Sequence, residues 1–385
     1  MIVLVNAISI KEGGSLVVLR ELMRRLVVMD DGIEWHVAVN EALQGESQLL
    51  PSRVTAHYFS TPKHIPLYIN YWYNLILPKL LRKTNSDILF SMTNYLPDLP
   101  LHCPTLLLEQ HAGHFSEEFD ARTNATLSLS GRLAWWAKRR WVIRSLRKST
   151  KVTVQTKALA DAIFAETEID IRKFHVIYHG PGLANSADQP RTYPVGPRWN
   201  LGYISKIGVQ KNFEVLVDAL VVMAAAGEDV QLHLTLNPER ADCQKVLKLF
   251  ELAGVGCFIV NHGELNERGV RKLYSQLDLF LFPSLCESFG FPLLEAMALG
   301  IPLLASDIDS NIEILGSKKF SFAAHDPQEL VSKVRSLMNE IDYVTASAYM
   351  LERARLFSWD DAASQVKGLL VETVDEVRSK KSRKQ

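Results

Sequence analysis

Short apolar runs alternate with amphipathic stretches along the whole chain. Ile2–Val5 is a β-branched run of the kind a strand buried on both faces requires. A loop with Gly13-Gly14 follows, and Leu16, Leu19, Met23 and Leu26 then recur at helical spacing. Further strands are expected near Trp35–Val39, Asp87–Ser91, Pro104–Leu108 and Lys151–Gln155, separated by helical or loop stretches. That alternation predicts a parallel α/β sheet. From Asn185 to Arg198 apolar residues thin out and Pro190, Pro194, Gly196 and Pro197 gather, which suits a linker. The pattern then restarts. Strands are expected at Asn200–Ser205, Val230–Leu236, Cys257–Val260, Leu279–Phe282 and Pro302–Ala305, with helices at Phe213–Ala226, Arg240–Ala253, Glu267–Gln276 and Pro292–Leu299. Trp359–Lys380 reads as a terminal helix. The expectation is an α/β protein of two Rossmann-like domains facing a central cleft: 1–184, a linker 185–198, 199–357, and a helix with a basic tail, 358–385.

Composition narrows the function classes. At ~100–200 residues per domain, 385 residues allow about two domains, each with its own core. The 43 Lys+Arg balance 43 Asp+Glu, which argues against a general nucleic-acid binder, since that affinity rests on phosphate neutralisation. Cys103, Cys243, Cys257 and Cys286 form no CxxC pair, so neither a disulfide framework nor a zinc knuckle is supported and a reduced cytosol is the simplest compartment. The start of the chain lacks the features of a signal peptide, and no stretch approaches ~18 uninterrupted apolar residues. A cytoplasmic, soluble protein is expected.

The most informative stretch runs from Phe282 to Pro302. A buried strand ends at Pro283, a loop carries Glu287 and Gly290, and a helix opens at Pro292 and stops at Gly300. A helix opening at the carboxyl end of a parallel strand is where open α/β sheets bind ligands, and its free N–H groups suit phosphate. Glu287 in the loop and Glu295 in the helix can each accept hydrogen bonds from the hydroxyls of a polyol. A second stretch, Tyr203–Asn212, places Lys206 and Lys211 in a loop after a strand.

These stretches resemble the E-x7-E and G-R-L-x-x-x-K-G motifs of retaining GT-B glycosyltransferases, especially glycosyltransferase family 4. The resemblance implies that Glu287 contacts a donor sugar and Glu295 the ribose of its nucleotide. Phe289-Gly290-Phe291 would supply backbone N–H groups near the sugar and diphosphate. Lys206 and Lys211 would bind the diphosphate, with Ser205 and Asn212 standing where the family has Gly. Lys206 replaces an Arg, so it brings a point charge without the guanidinium's bidentate fork. Gly13-Gly14 fits the family's acceptor-side glycine loop. His111 fits the first residue of its His-Asp pair, the second being Ala112 here, and Val176–Gly180 fits the turn into the linker, with His179 as a structural substitution. The implied activity is retaining transfer of a sugar from a nucleotide-sugar donor to a saccharide acceptor, lipid-linked in cell-surface polysaccharide synthesis, with no cofactor and no metal. The alternatives are a sugar-nucleotide epimerase of the same architecture and a catalytically degenerate binding homologue.

Other motifs carry less. Asp307-Ile-Asp309 has metal-binding spacing but no second acidic cluster, and His111-x-x-His114 lacks a third ligand. The segment 132–151 is basic, contains Trp135, Trp136 and Trp141, and is free of acidic residues. On a helical projection Arg140, Arg144, Arg147, Lys148 and Lys151 share a face, as in helices that lie on anionic membrane surfaces. The competing expectation is a first-domain helix with a solvated basic face. The basic tail Arg378–Lys384 would add to the same attraction.

Overall fold

The computed structural model describes residues 1–29, 32–46, 49–61, 68–183, 186–194 and 196–382. The first half carries β1 (Ile2–Ala7), α1 (Gly14–Leu26), β2 (Glu34–Asn40), β3 (Thr55–Phe59), α2 (Tyr68–Tyr71), α3 (Leu77–Lys83), β4 (Ile88–Ser91) and β5 (Thr105–Glu109). There follow α4 (Glu117–Thr126), α5 (Leu129–Lys148), β6 (Lys151–Val154), α6 (Lys157–Thr167) and β7 (Phe174–Val176). The second half carries β8 (Trp199–Tyr203), α7 (Phe213–Ala225), β9 (Val230–Leu234), α8 (Ala241–Leu252), β10 (Ile259–Asn261), α9 (Glu267–Gln276) and β11 (Leu279–Phe282). It ends with α10 (Phe291–Ala298), β12 (Leu303–Ser306), α11 (Asp309–Leu315), β13 (Ser321–Phe322), α12 (Pro327–Leu337), α13 (Glu340–Ala354) and α14 (Trp359–Ser382).

Two compact units result. One comprises 1–115, 127–180 and 358–385, the other 116–126 and 181–357. The first holds a sheet in the order β3-β2-β1-β4-β5-β6-β7 and the second a sheet in the order β10-β9-β8-β11-β12-β13, with parallel pairing throughout. Central strands such as Leu279–Phe282 and Leu303–Ser306 are buried along their whole length, because helices cover both faces of a parallel sheet. In each sheet the winding direction reverses once, between β1 and β4 and between β8 and β11. Loops leaving the carboxyl ends at such a point diverge and leave a crevice, so each unit carries one place suited to a ligand.

Three local features depart from the sequence expectations. The helix over 132–151 ends earlier: Ser149 takes an extended conformation (ψ 149) and stops α5 at Lys148. Lys151 therefore does not share the basic face; it opens β6, and its ammonium is paired with Glu372 and Glu376 of α14 at 2.9 Å each. The segment Ser116–Thr126 packs in the second unit, where Glu118 meets His325 at 3.1 Å and Arg122 meets Glu214 at 3.5 Å. Described residues of the expected linker are tied down: Arg191 donates to the carbonyls of Tyr274 (2.9 Å), Leu277 (2.7 Å) and Leu299 (3.2 Å), where α9 and α10 end. Asn185 and Val195 of the expected linker, and Arg383 and Lys384 of the basic tail, lie outside the described residues.

Candidate functional site

The loops after β8 and β11 meet at the reversal point of the second sheet. The first runs from Ile204 to Asn212, and its exit is set by Asn212, which has φ +47, ψ 50. That left-handed conformation is open to Gly and tolerated by Asn, which explains why an amide can stand where the related motif has Gly. Asn212 also gives what Gly cannot: its buried amide donates to the carbonyls of Pro283 (3.2 Å) and Ala324 (2.7 Å), fastening the loops after β11 and β13 to the start of α7. The Tyr203 hydroxyl donates to the Lys211 carbonyl at 3.1 Å and lies 3.2 Å from the Ser284 hydroxyl. Backbone and side chain thus hold the two loops in register.

This scaffold brings two of the expected residues together. Lys211 Nζ lies 2.6 Å from Glu287 Oε1, with side chains only 13% and 15% exposed. Burial works against the Lys211 ammonium, but Glu287 and the Tyr203 phenol outweigh it and raise its pKa, so the lysine is charged. Lys211 also lies 5.7 Å from the Phe282 ring centroid, a cation–π contact. Beside the pair, burial and Glu287 push the Cys286 thiol up to about 12, so it is no nucleophile at neutral pH. Ser205 is buried, with its amide donating to Thr235 Oγ1 (3.2 Å) and its hydroxyl to the Lys206 carbonyl (2.9 Å); Lys206 itself is exposed.

Downstream, Gly290 caps α10 with φ +80, and a Cβ there would sit 3.2 Å from the Phe282 ring. Pro292 follows in the first turn, where its missing N–H costs no hydrogen bond. The Phe289 side chain is core, packed edge-on against Phe291 (5.3 Å) and Phe357 (6.0 Å). Glu295 lies on the second turn of α10, and its Oε2 accepts from the Tyr274 hydroxyl at 3.0 Å. Burial raises its carboxyl to about 7, against the opposing pull of Tyr274 and Arg271. Tyr274, the partner of Glu295, is one of two residues that sequence reasoning missed, its signal being a phenol on the apolar face of α9.

In the first unit, Gly13 (φ +72) caps α1 after β1, next to the reversal point, with Gly14 beginning the helix. His111 follows β5, its amide donating to Glu109 Oε1 at 2.9 Å. Glu109, also missed, is fully buried; burial pushes its carboxyl up to about 8, only partly offset by backbone N–H groups of His111 and Gln110. His114 stacks on Trp135 at 4.6 Å and on His111 at 4.4 Å, and burial lowers it to about 2. His179 is buried, accepts from Gln155 Nε2 at 2.9 Å and stacks on Trp359. Asp307 accepts from the Ala324 amide at 3.1 Å, and Asp309 begins α11.

Comparison with known proteins places this geometry. Residues 198–340 match the family model of the glycosyl transferases group 1. The serotype-specific mannosyltransferase WbdA of Escherichia coli is 32% identical over 165 residues, 42% of this chain and 20% of that protein, so the chain spans about a fifth of that relative's length. Among solved structures, a sucrose-phosphate synthase from Thermosynechococcus elongatus superposes with a TM-score of 0.74 at 15% identity, covering 97% of this chain and 98% of that one. The HepE protein of Anabaena, solved with UDP-glucose, gives a TM-score of 0.70 at 16% identity, covering 97% and 100%. The chain therefore has the two-domain α/β GT-B fold, and residues 198–340 are similar to the glycosyl transferases group 1.

Proposed function

We propose that this protein is a glycosyltransferase that moves a sugar from a nucleotide-sugar donor to a saccharide acceptor in polysaccharide synthesis. The observation that carries the reading is the Lys211–Glu287 pair, desolvated and held by Asn212 and Tyr203 at the reversal point of the second sheet. A cation in that setting stabilises a leaving diphosphate far better than one in bulk water, and the carboxylate beside it accepts from sugar hydroxyls. In the proposed reaction Lys211, with Lys206, takes the diphosphate, Glu287 the sugar and Glu295 the ribose. Ser205, Phe289, Gly290 and Phe291 border the donor, and His111, Gly13 and Gly14 serve the first-unit side. Transfer proceeds with retention: the diphosphate leaves from the face the acceptor hydroxyl attacks, and its oxygen takes the acceptor proton. Lysines and backbone N–H groups stand where other transferases use a cation, so no metal is required.

A lipid-linked acceptor at an anionic membrane face fits the exposed first turns of α5. Leu129 (82% exposed), Leu133 (65%) and Trp136 (53%) form one stripe, with Arg140 lying over Trp136 at 4.9 Å and exposed Arg132 beside it. Among the described residues no helix is long and apolar enough to cross a membrane.

WbdA is a mannosyltransferase by name and HepE was solved with UDP-glucose, which sets the first donors to try. A thermal-shift screen against GDP-mannose, UDP-glucose, ADP-glucose and dTDP-glucose should single out one nucleotide. A ligand at ~100 times its dissociation constant stabilises by ~2.7 kcal/mol. The reading fails if none of them, nor any free nucleoside diphosphate, stabilises the protein.

A further inference from the structure

On the proposed reading, Glu295 must meet its ligand as a carboxylate in one orientation. Its neighbours on α10 do not provide that: Leu294 and Ala296 are buried core residues with no polar group to offer. The partner comes from α9. Tyr274 is fully buried, its ring packs against Phe280 of β11 at 5.7 Å, and its backbone carbonyl is held by Arg191 at 2.9 Å. The ring is thus fixed from several sides, and its hydroxyl lies 3.0 Å from Glu295 Oε2 and 3.3 Å from the Pro292 carbonyl.

We infer that Tyr274 is a positioning residue of the nucleotide site: its hydroxyl donates to Glu295 Oε2, fixing the carboxylate and leaving Oε1 to accept from ligand hydroxyls. A phenylalanine would fill the same core space, so packing alone does not account for the hydroxyl. A hydroxyl sunk among apolar groups costs free energy unless it is bonded, and a charge-assisted bond to a carboxylate is among the strongest available. The other charged groups facing Glu295 are also on α9: Arg271, which favours its ionised form, and Glu267, which opposes it and is paired with Arg271 at 2.7 Å. Since burial brings the Glu295 carboxyl to about 7, the Tyr274 bond acts where the charge is most finely balanced. Its loss protonates Glu295 at neutral pH, and a protonated carboxyl loses one of the acceptor sites that ligand hydroxyls need.

The inference rests on the glycosyltransferase reading, and calorimetric titration with UDP and with GDP between pH 6 and 8.5 separates the two. In wild-type protein the affinity for whichever nucleotide binds should fall as pH drops through about 7. Glu295→Gln should bind weakly, and the pH dependence it retains is that of the nucleotide itself. Tyr274→Phe should move the midpoint upward by about one pH unit, with about tenfold weaker binding at pH 7, as loss of a hydrogen bond to a charged group implies. A carbon-13 carboxyl titration of glutamate-labelled protein, with the Glu295 signal identified by its absence in Glu295→Gln, follows the same midpoint without any nucleotide. Wild-type protein that binds none of UDP, GDP, ADP and dTDP overturns the glycosyltransferase reading and the ligand role of the pair. Wild-type binding with an unchanged midpoint in Tyr274→Phe overturns the Tyr274 assignment alone.

Discussion

Lys211 and Glu287 owe their proposed role to the way each stabilises the other. Though 76 positions apart in the chain, they meet at 2.6 Å with little access to water. Truncating one partner of a buried pair leaves an uncompensated charge and costs about 3–5 kcal/mol, with the residual exposure of both side chains placing this pair at the lower end. Lys211→Ala should therefore unfold at clearly lower denaturant concentration, besides losing at least ~100-fold in transfer, the scale of removing one electrostatic stabiliser. Adding Glu287→Ala should restore much of the stability and none of the activity. A denaturant double-mutant cycle alongside product analysis decides it: a Lys211→Ala enzyme within a few-fold of wild type takes the lysine out of the site. Both residues could be picked out in the sequence because their spacing from strand ends and from Pro292 is local information. Their contact was not, since a loop lysine reads as a solvated charge until the sheet order puts β8 beside β11. Tyr274 was hidden for the opposite reason. It shares a buried face with Leu273, and only the fold reveals where its hydroxyl ends.

At the scale of elements, α5 divides into two parts with different tasks. Its second half is anchored: Val142 and Leu146 are buried, Trp141 Nε1 donates to the Leu96 carbonyl at 2.9 Å, and Arg147 donates to the Thr167 carbonyl at 3.3 Å. Arg144 and Lys148 lie 3.8 and 4.0 Å from Asp98. The first half keeps Leu129, Leu133 and Trp136 in water, a stripe that an anionic bilayer would cover while Arg132 and Arg140 meet headgroups. Each such cation contributes ~1 kcal/mol near an anionic surface and is screened within ~8 Å at physiological salt. Leu133→Ser combined with Trp136→Ser should abolish co-sedimentation with phosphatidylserine-containing vesicles and leave transfer to a short soluble acceptor unchanged. Arg144→Gln should change little, because that arginine faces Asp98. Wild-type protein that stays in the supernatant at low salt removes the membrane from the proposal. The boundary inside α5 was invisible to a helical projection, which treats a helix as if every face were equally free. Short edge strands were equally hidden: β3 and β7 carry His57 and His175 and show no continuous apolar run, whereas central β5 and β11 do.

For the molecule as a whole, buried ionisable groups of opposite type set how stability varies with pH. The Glu109 and Glu295 carboxyls are raised to about 8 and about 7 in the folded chain, so folding favours their protonated forms. Their contribution is complete below the unfolded carboxylate range and is lost as pH rises through 7 and 8. Burial lowers His114 to about 2 and His179 to about 3, and it also lowers His57, His233 and His262. These histidines must stay neutral to fold, so what they contribute is present above about 6.5 and is lost as pH falls below it. Each deeply buried group in its window changes stability by about 1.4 kcal/mol per pH unit, and the two sets oppose each other between about 4.5 and 6.5. Stability should therefore peak on the weakly acidic side of neutrality and decline toward pH 8 as the two carboxyl contributions are lost. Glu109→Gln keeps the size of the side chain and carries no charge, so it should flatten the decline between pH 6.5 and 8 and steepen the rise between about 4.5 and 6.5, where Glu109 opposes the histidines. His179→Gln should flatten the acid limb and leave the decline above pH 6.5 unchanged, since a glutamine cannot take up a proton beside Gln155 and Trp359. Urea midpoints measured at half-unit pH intervals for the three proteins test both limbs, and a wild-type midpoint still rising from pH 6.5 to 8 would show that Glu109 and Glu295 fold as carboxylates.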